Sequence, residues 1–200
     1  SLKHMNIMQI KFWERDPVYF MEFDLPSGAL QSKKRVYSLA DLKVPIPARA
    51  ALRIVRGLAE GIDYIHRQGV RHYLLEPSAI FLDDGLHPKI SGFDTSALIQ
   101  SGIPDDCWVI APEQKNPEKF GNPGKKTDIY QVGAIFYYLL SGQVPENYEK
   151  AGGLPSHFRS DYKVYDPIIQ KSLHTDKNER YGNIREMIQE MDILLRSFKK

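Results

Sequence analysis

Apolar positions recur at helical spacing from Ala51 onward. Val55, Leu58, Ala59, Ile62 and Ile65 line one side, and Arg53, Arg56, Glu60, Asp63 and Arg67 fall opposite. This i, i+3, i+4, i+7 ladder predicts an amphipathic, core-packing helix, with Gly69 as its stop. Ile129 to Leu140 is apolar nearly all round, which predicts a helix through the middle of the domain, N-capped at Thr127-Asp128 and ended by Gly142. A last amphipathic helix carries Ile184, Met187, Ile188, Met191, Leu194, Leu195 and Phe198 on one face.

Elsewhere the pattern is β-like and short. Asn6 to Phe12 and Val18 to Phe23 predict a hairpin turning at Glu14-Arg15-Asp16-Pro17. Ala79 to Leu82 and Pro88 to Ser91 predict another around Asp83-Asp84-Gly85. Gln31 to Pro47 reads as a surface connection with a short helix at most, and Lys33-Lys34-Arg35 within it as a solvated loop. Periodicity therefore predicts a mostly helical domain with a few small strands at one edge.

Composition narrows the function classes. Across 200 residues, 27 basic side chains stand against 25 acidic ones, too even for a nucleic-acid binder driven by bulk charge. With 42% hydrophobic residues the chain can bury a core. The single cysteine, Cys107, excludes an internal disulfide and a cysteine-cluster metal site, and suits a reducing cytoplasm. The longest uncharged run, Ile129 to Pro145, is interrupted by Gln131, Ser141 and Gln143, so no membrane span is expected.

Several short segments follow one another in a meaningful order. The long helix ends Tyr64-Ile65-His66-Arg67-Gln68-Gly69-Val70, followed by His72-Tyr73-Leu74-Leu75-Glu76-Pro77-Ser78-Ala79-Ile80. Lys89-Ile90-Ser91-Gly92-Phe93-Asp94 comes next, then Ala111-Pro112-Glu113. Thr127 to Gly133, Leu139 to Gly142 and Leu173 to Arg180 complete the series. Together these resemble the C-terminal lobe of a protein kinase of the Ser/Thr type found in prokaryotes, from the catalytic loop to the closing arginine. Tyr19 to Phe23 resembles the fifth strand and hinge, with Met21, Glu22 and Phe23 beside the nucleotide pocket and Phe81 on its floor. The resemblance starts after the glycine-rich loop, the strand lysine and its glutamate partner. It implies a remnant of the N-terminal lobe over residues 1–30 and a helical C-terminal lobe over 31–200.

Phosphoryl transfer needs metal ions bridging phosphates and a carboxylate orienting the accepting hydroxyl. At the positions the resemblance assigns, Leu74 replaces the hydroxyl-orienting aspartate and Glu76 the lysine. Ala79 replaces the metal-binding asparagine and Gly92 the metal-binding aspartate. Asp94, two positions beyond Gly92, lies ~7 Å along an extended strand and is no substitute. Asp105-Asp106 stands where a Gly-Thr pair is expected, and Thr95, Ser96 and Ser101 are candidate phosphate acceptors.

The structural positions are kept. His72 and Phe93 match the lower members of the regulatory spine. Asp128 matches the aspartate that caps the catalytic-loop backbone, or else is a simple N-cap. Glu113 and Arg180 match a buried salt bridge. The separation implies a pseudokinase: a catalytically inactive kinase-like domain acting as a cytoplasmic scaffold or regulatory module, with ATP and Mg²⁺ bound weakly or not at all. A protein partner or a second copy is expected on the exposed cleft and strands, with neither nucleic acid nor membrane as partner. Tyr148, Tyr162 and Tyr165 are candidates for a docking surface. The alternatives are a divergent Ser/Thr or small-molecule kinase whose N-terminal lobe lies outside this chain, and a structural remnant.

Overall fold

A computed structural model describes residues 2–15, 18–93, 107–145 and 153–198, with 12–15 and 18–21 by backbone alone. Helix α1 (Ala48–Arg67) buries the apolar ladder completely, Val55, Leu58, Ala59, Ile62 and Ile65 alike, together with Leu52. Its chain direction reverses after Gln68 through Gly69, whose φ of +78° suits glycine. Two short helices, α2 (Pro112–Lys115) and α3 (Pro117–Phe120), precede the central helix α4 (Lys125–Ser141). Beyond it lie α5 (Pro155–Phe158), α6 (Asp166–Ser172) and α7 (Ile184–Ser197).

Helix α1 packs on both α4 and α7, so its apolar side is shared between a buried helix and a surface one. Helix α7 runs antiparallel to α1, with Arg56 paired to Asp192 and Arg185 to Asp63. Asn183 caps α7 by accepting the Arg185 and Glu186 N–H groups.

The strands form two-stranded antiparallel pairs. β1 (Ile10–Arg15) pairs with β2 (Val18–Phe23), Ile10 opposite Phe23. The hairpin is the expected one, but Glu14 and Arg15 belong to the strand rather than the turn. Asn6 and Ile7 do not join it. They lie along the Pro88–Ile90 strand instead, where the Ile90 N–H donates to Asn6 O at 2.8 Å and the Met8 N–H to Ile90 O at 2.8 Å. Burial explains the diversion, since Ile7 is 2% exposed in that place.

β3 (Ala29–Gln31) and β4 (Lys34–Val36) form a hairpin where sequence reading expected a surface connection. That segment is anchored rather than superficial: Val36, Leu39, Leu42 and Ile46 are all buried. A 3-10 turn at Leu39–Asp41 supplies the short helix. β5 (Ile80–Leu82) pairs with β6 (Pro88–Ile90) as expected.

The central helix begins earlier than its apolar run suggests. Gly124 is the N-cap, and Thr127, in the third helical position, accepts the Gly124 N–H at 2.9 Å. Asp128 therefore sits inside the helix and caps no part of it. Tyr162 and Tyr165, candidate docking residues by sequence, are core instead: both are buried, and Tyr165 meets Phe136 edge-on at 5.8 Å. Tyr148 lies outside the described residues.

Candidate functional site

The loop after α1 turns at Tyr73, whose φ is +64°, a left-handed conformation that costs a non-glycine residue roughly 1–2 kcal/mol. Side chains of α4 hold it there. The Asp128 carboxylate accepts the His72 N–H at 3.0 Å and the Tyr73 N–H at 2.8 Å, and its Oδ2 meets His66 Nε2 at 2.7 Å. One turn on, Gln131 accepts the Leu75 N–H at 3.0 Å and donates to Tyr73 O at 2.7 Å. Gln114 of α2 donates to the same carbonyl at 2.7 Å and accepts the Ala111 N–H at 3.1 Å. His66, Asp128 and Gln131 are buried, so bonds to the ionised carboxylate act in a low-dielectric setting where they are strong.

His66 and Gln131 lie within segments that carry the resemblance and Gln114 directly follows Ala-Pro-Glu, but sequence reasoning assigns none of them a role. Gln131 carried a usable signal, a lone amide within an otherwise apolar helix.

His72 is fully buried, and its Nε2 lies 2.7 Å from Ser91 O. Its ring meets Phe93 edge-on at 5.1 Å, which brings the expected spine pair together. Burial holds the imidazole below the usual histidine range, against the charge of Asp128, which favours protonation. The enclosed ring packs against Phe93 and bonds to Ser91 O.

Two of the positions that would carry chemistry, Ala79 and Gly92, are brought close together. Ala79 O accepts both the N–H and the hydroxyl of Ser91, at 2.9 and 3.0 Å, bringing Ala79 beside the turn at Gly92. Leu74 is buried at 6% exposure, while Glu76 is partly exposed and faces a cavity of about 330 Å³ with Ser78, Cys107, Trp108 and Tyr138. A magnesium ion needs oxygen ligands near ~2 Å. Leu74, Ala79 and Gly92 have no side-chain oxygen, so these residues do not fit the metal the resemblance would place here. Gly92 has a φ of +79°, in the left-handed region that glycine adopts most readily.

At the strand end of the chain, Phe23 is 44% exposed and Glu22 pairs with Lys11 at 3.6 Å on the surface. The Met21 backbone lies in β2. Phe81 is partly buried in β5, bridged to Ser38. Asp94, Thr95, Ser96, Ser101, Asp105 and Asp106 lie outside the described residues.

Glu113 and Arg180 form a bidentate pair at 2.7 and 2.9 Å, both with wholly buried side chains. Remaining donors and acceptors are satisfied: Thr127 donates to Glu113 at 2.8 Å, and Arg180 donates to His174 O at 2.7 Å and Lys126 O at 3.0 Å. Burial alone would raise the Glu113 pKa, but the Arg180 hydrogen bonds and charge outweigh it and leave the carboxyl below its ordinary range.

A loop pinned by an aspartate and a glutamine of the central helix, with a buried Glu–Arg clamp behind it, defines a kinase-like fold. The chain belongs to the protein kinase domain family, whose model matches residues 1–193. It is 31% identical over 197 residues to an Arabidopsis thaliana protein named as a probably inactive leucine-rich repeat receptor-like protein kinase, covering 88% of this chain and 19% of that one. It is 29% identical over 197 residues to CBL-interacting serine/threonine-protein kinase 5 of the same plant, covering 90% and 42%. The chain thus spans less than half the length of these relatives. The Mycobacterium tuberculosis PknI kinase domain superposes with a TM-score of 0.70 at 22% identity, covering 96% of this chain and 72% of that one, a likeness of fold. Among the described residues no helix is long and apolar enough to cross a membrane.

Proposed function

We propose that this chain is a kinase-family domain that does not transfer phosphate and serves as a cytoplasmic scaffold or regulatory binding module. The observation that carries the reading is the oxygen-free set Leu74, Ala79 and Gly92, beside a loop still locked by Asp128 and Gln131. A positioned general base contributes roughly 10²–10⁴-fold to rate, and a buried leucine cannot supply it. Glu76 adds a negative charge where triphosphate would need a positive one. The naming of one relative as inactive is in keeping with this.

In this reading the chain is a C-terminal lobe with a strand remnant over 1–30, and ATP with Mg²⁺ binds weakly or not at all. A protein partner or a second copy covers the strand face. Support comes from exposed apolar side chains there: Phe23 at 44%, Leu25 at 59%, Leu30 at 68% and Tyr37 at 47%.

The test is a paired measurement on the purified chain: thermal stability across a titration of ATP with Mg²⁺, and transfer of radiolabel from ATP to itself or to a generic protein acceptor. Unchanged midpoints and no transfer are expected. Concentration-dependent stabilisation together with transferred label would instead establish the second reading, a divergent kinase. That reading draws its support from the relatives named as kinases without qualification.

A further inference from the structure

A cleft of about 490 Å³ opens between the start of α1, the end of α7 and the turn before β6, on residues the loop and the Glu–Arg clamp do not use. Its charged lining is Arg49, Arg53, Arg56 and Arg196 against Glu60 and Asp192. Both carboxylates are already engaged: Arg56 pairs with Glu60 at 2.9 Å and with Asp192 on the neighbouring helix. His87, also at the rim, is occupied by Asp83 at 3.0 Å. Arg49, Arg53 and Arg196 are exposed and have no described partner.

Register makes this more than scattered charge. Helices α1 and α7 are antiparallel, with Arg56 opposite Asp192, so one turn further along Arg196 comes level with Arg53, and Arg49 follows one more turn along α1 in the same cleft. Like charges at such spacing repel, and the described residues place no further carboxylate among them. An anion seated between them converts that repulsion into charge-assisted hydrogen bonds, which guanidinium forks make best to phosphate and carboxylate oxygens.

The rest of the lining argues for a peptide rather than a free ion. Met5, 65% exposed, and Leu195 give apolar contact beside the arginines. Asn6 also lines the cleft at 2% exposure; its Nδ2 donates to Pro88 O at 2.9 Å, and its buried Oδ1 has no partner among the described residues. A free phosphate brings apolar contact to neither Met5 nor Leu195, whereas a peptide brings apolar side chains together with its anionic group. The cleft volume falls within the range of ligand sites.

We propose that this cleft is a docking site for an acidic peptide segment, with a phosphorylated side chain held by Arg49, Arg53 and Arg196. The site does not depend on the catalytic reading, since none of its residues belongs to the loop or its clamp.

The experiment is fluorescence anisotropy with the full chain and a short labelled peptide carrying one phosphoserine between leucines. Its glutamate and serine counterparts, inorganic phosphate as competitor, and phosphatidylserine vesicles in a sedimentation arm complete the design. The phosphopeptide binds best, the glutamate peptide more weakly and the serine peptide least. Arg53→Glu with Arg196→Glu weakens phosphopeptide binding by roughly tenfold or more, the scale set by charged hydrogen bonds. Lys163→Glu, an exposed charge reversal elsewhere, leaves binding unchanged. The double variant keeps or raises the thermal midpoint, so loss of binding is not loss of fold. The proposal is overturned by absence of phosphopeptide binding, by equal binding to the double variant, or by inorganic phosphate competing at concentrations comparable to the peptide. Vesicle binding without peptide binding also overturns it.

Discussion

The Asp128 carboxylate reaches 55 positions back along the chain to accept the Tyr73 N–H at 2.8 Å, fixing a residue whose φ of +64° is left-handed. One helical side chain thus maintains the loop's least favourable backbone conformation, with His72 and His66 on the same carboxylate. Removing that acceptor leaves buried donors unmatched at about 1–3 kcal/mol each. Asp128→Ala is expected to destabilise the fold by about 3 kcal/mol or more, read from urea denaturation at neutral pH. Asp128→Asn, which keeps one oxygen acceptor, falls between it and the parent.

The Glu113–Arg180 clamp gives an asymmetric mutational pattern. Arg180→Ala strands a buried carboxylate and costs about 3–5 kcal/mol, whereas removing both charges with Glu113→Leu and Arg180→Met costs less than the sum of the single changes. A double-mutant cycle in guanidinium chloride measures the coupling.

The same pair has an acid signature. The folded Glu113 carboxyl lies below its ordinary value of 4.5, so its contribution is complete above that value and is lost as pH falls through the lower folded value. Denaturation midpoints followed into acid show this fall. Glu113→Gln is less stable at neutral pH and shows a shallower decline.

His72 acts earlier in the same titration. Burial depresses its folded pKa below 6.5, so below that pH the unfolded chain takes up a proton that the native ring refuses, and stability declines. Above pH 6.5 the contribution is constant. Ring resonances in NMR are expected to show His72 remaining neutral at pH 6.5 while the protein stays folded.

Gly133 allows α4 and α6 to touch. A Cβ there would stand 2.1 Å from Ser172 Oγ and 2.6 Å from Ser172 Cβ, closer than packing allows. Gly133→Ala, which improves helix propensity by about 1 kcal/mol, is nevertheless expected to destabilise by about 1–3 kcal/mol through overpacking. Thermal denaturation checks it, and Ser172→Gly in the same chain recovers part of the loss.

What the sequence disclosed follows from where single side chains determine the outcome. The α1 ladder and the α7 stripe were legible because each presents one apolar face, and Val55, Leu58 and Met191 are indeed enclosed. The start of α4 was misread because Thr127 and Asp128 are good capping residues, while the observed cap is Gly124. The β3–β4 hairpin escaped because it turns at Ser32 and Lys33, with φ values of +49° and +67° and neither glycine nor asparagine to announce them. At the site, Asp128, Glu113, Arg180, His72 and Phe93 were visible as motif members. Gln131 lies within the Thr127 to Gly133 segment and Gln114 follows Ala-Pro-Glu, but their role stayed hidden because only the folded loop brings within reach the backbone atoms they hold.

The loop also ties together chain segments on either side of residues 94–106. His72 holds Ser91 O on one side, and Gln114 and Gln131 hold Tyr73 O from the other. Helix α1, from the first portion of the chain, is wedged between α4 and α7 of the second. A protease that nicks the polypeptide between Phe93 and Cys107 therefore yields two fragments that still co-elute in native buffer and separate only in denaturant, which makes this domain a candidate for split-protein complementation.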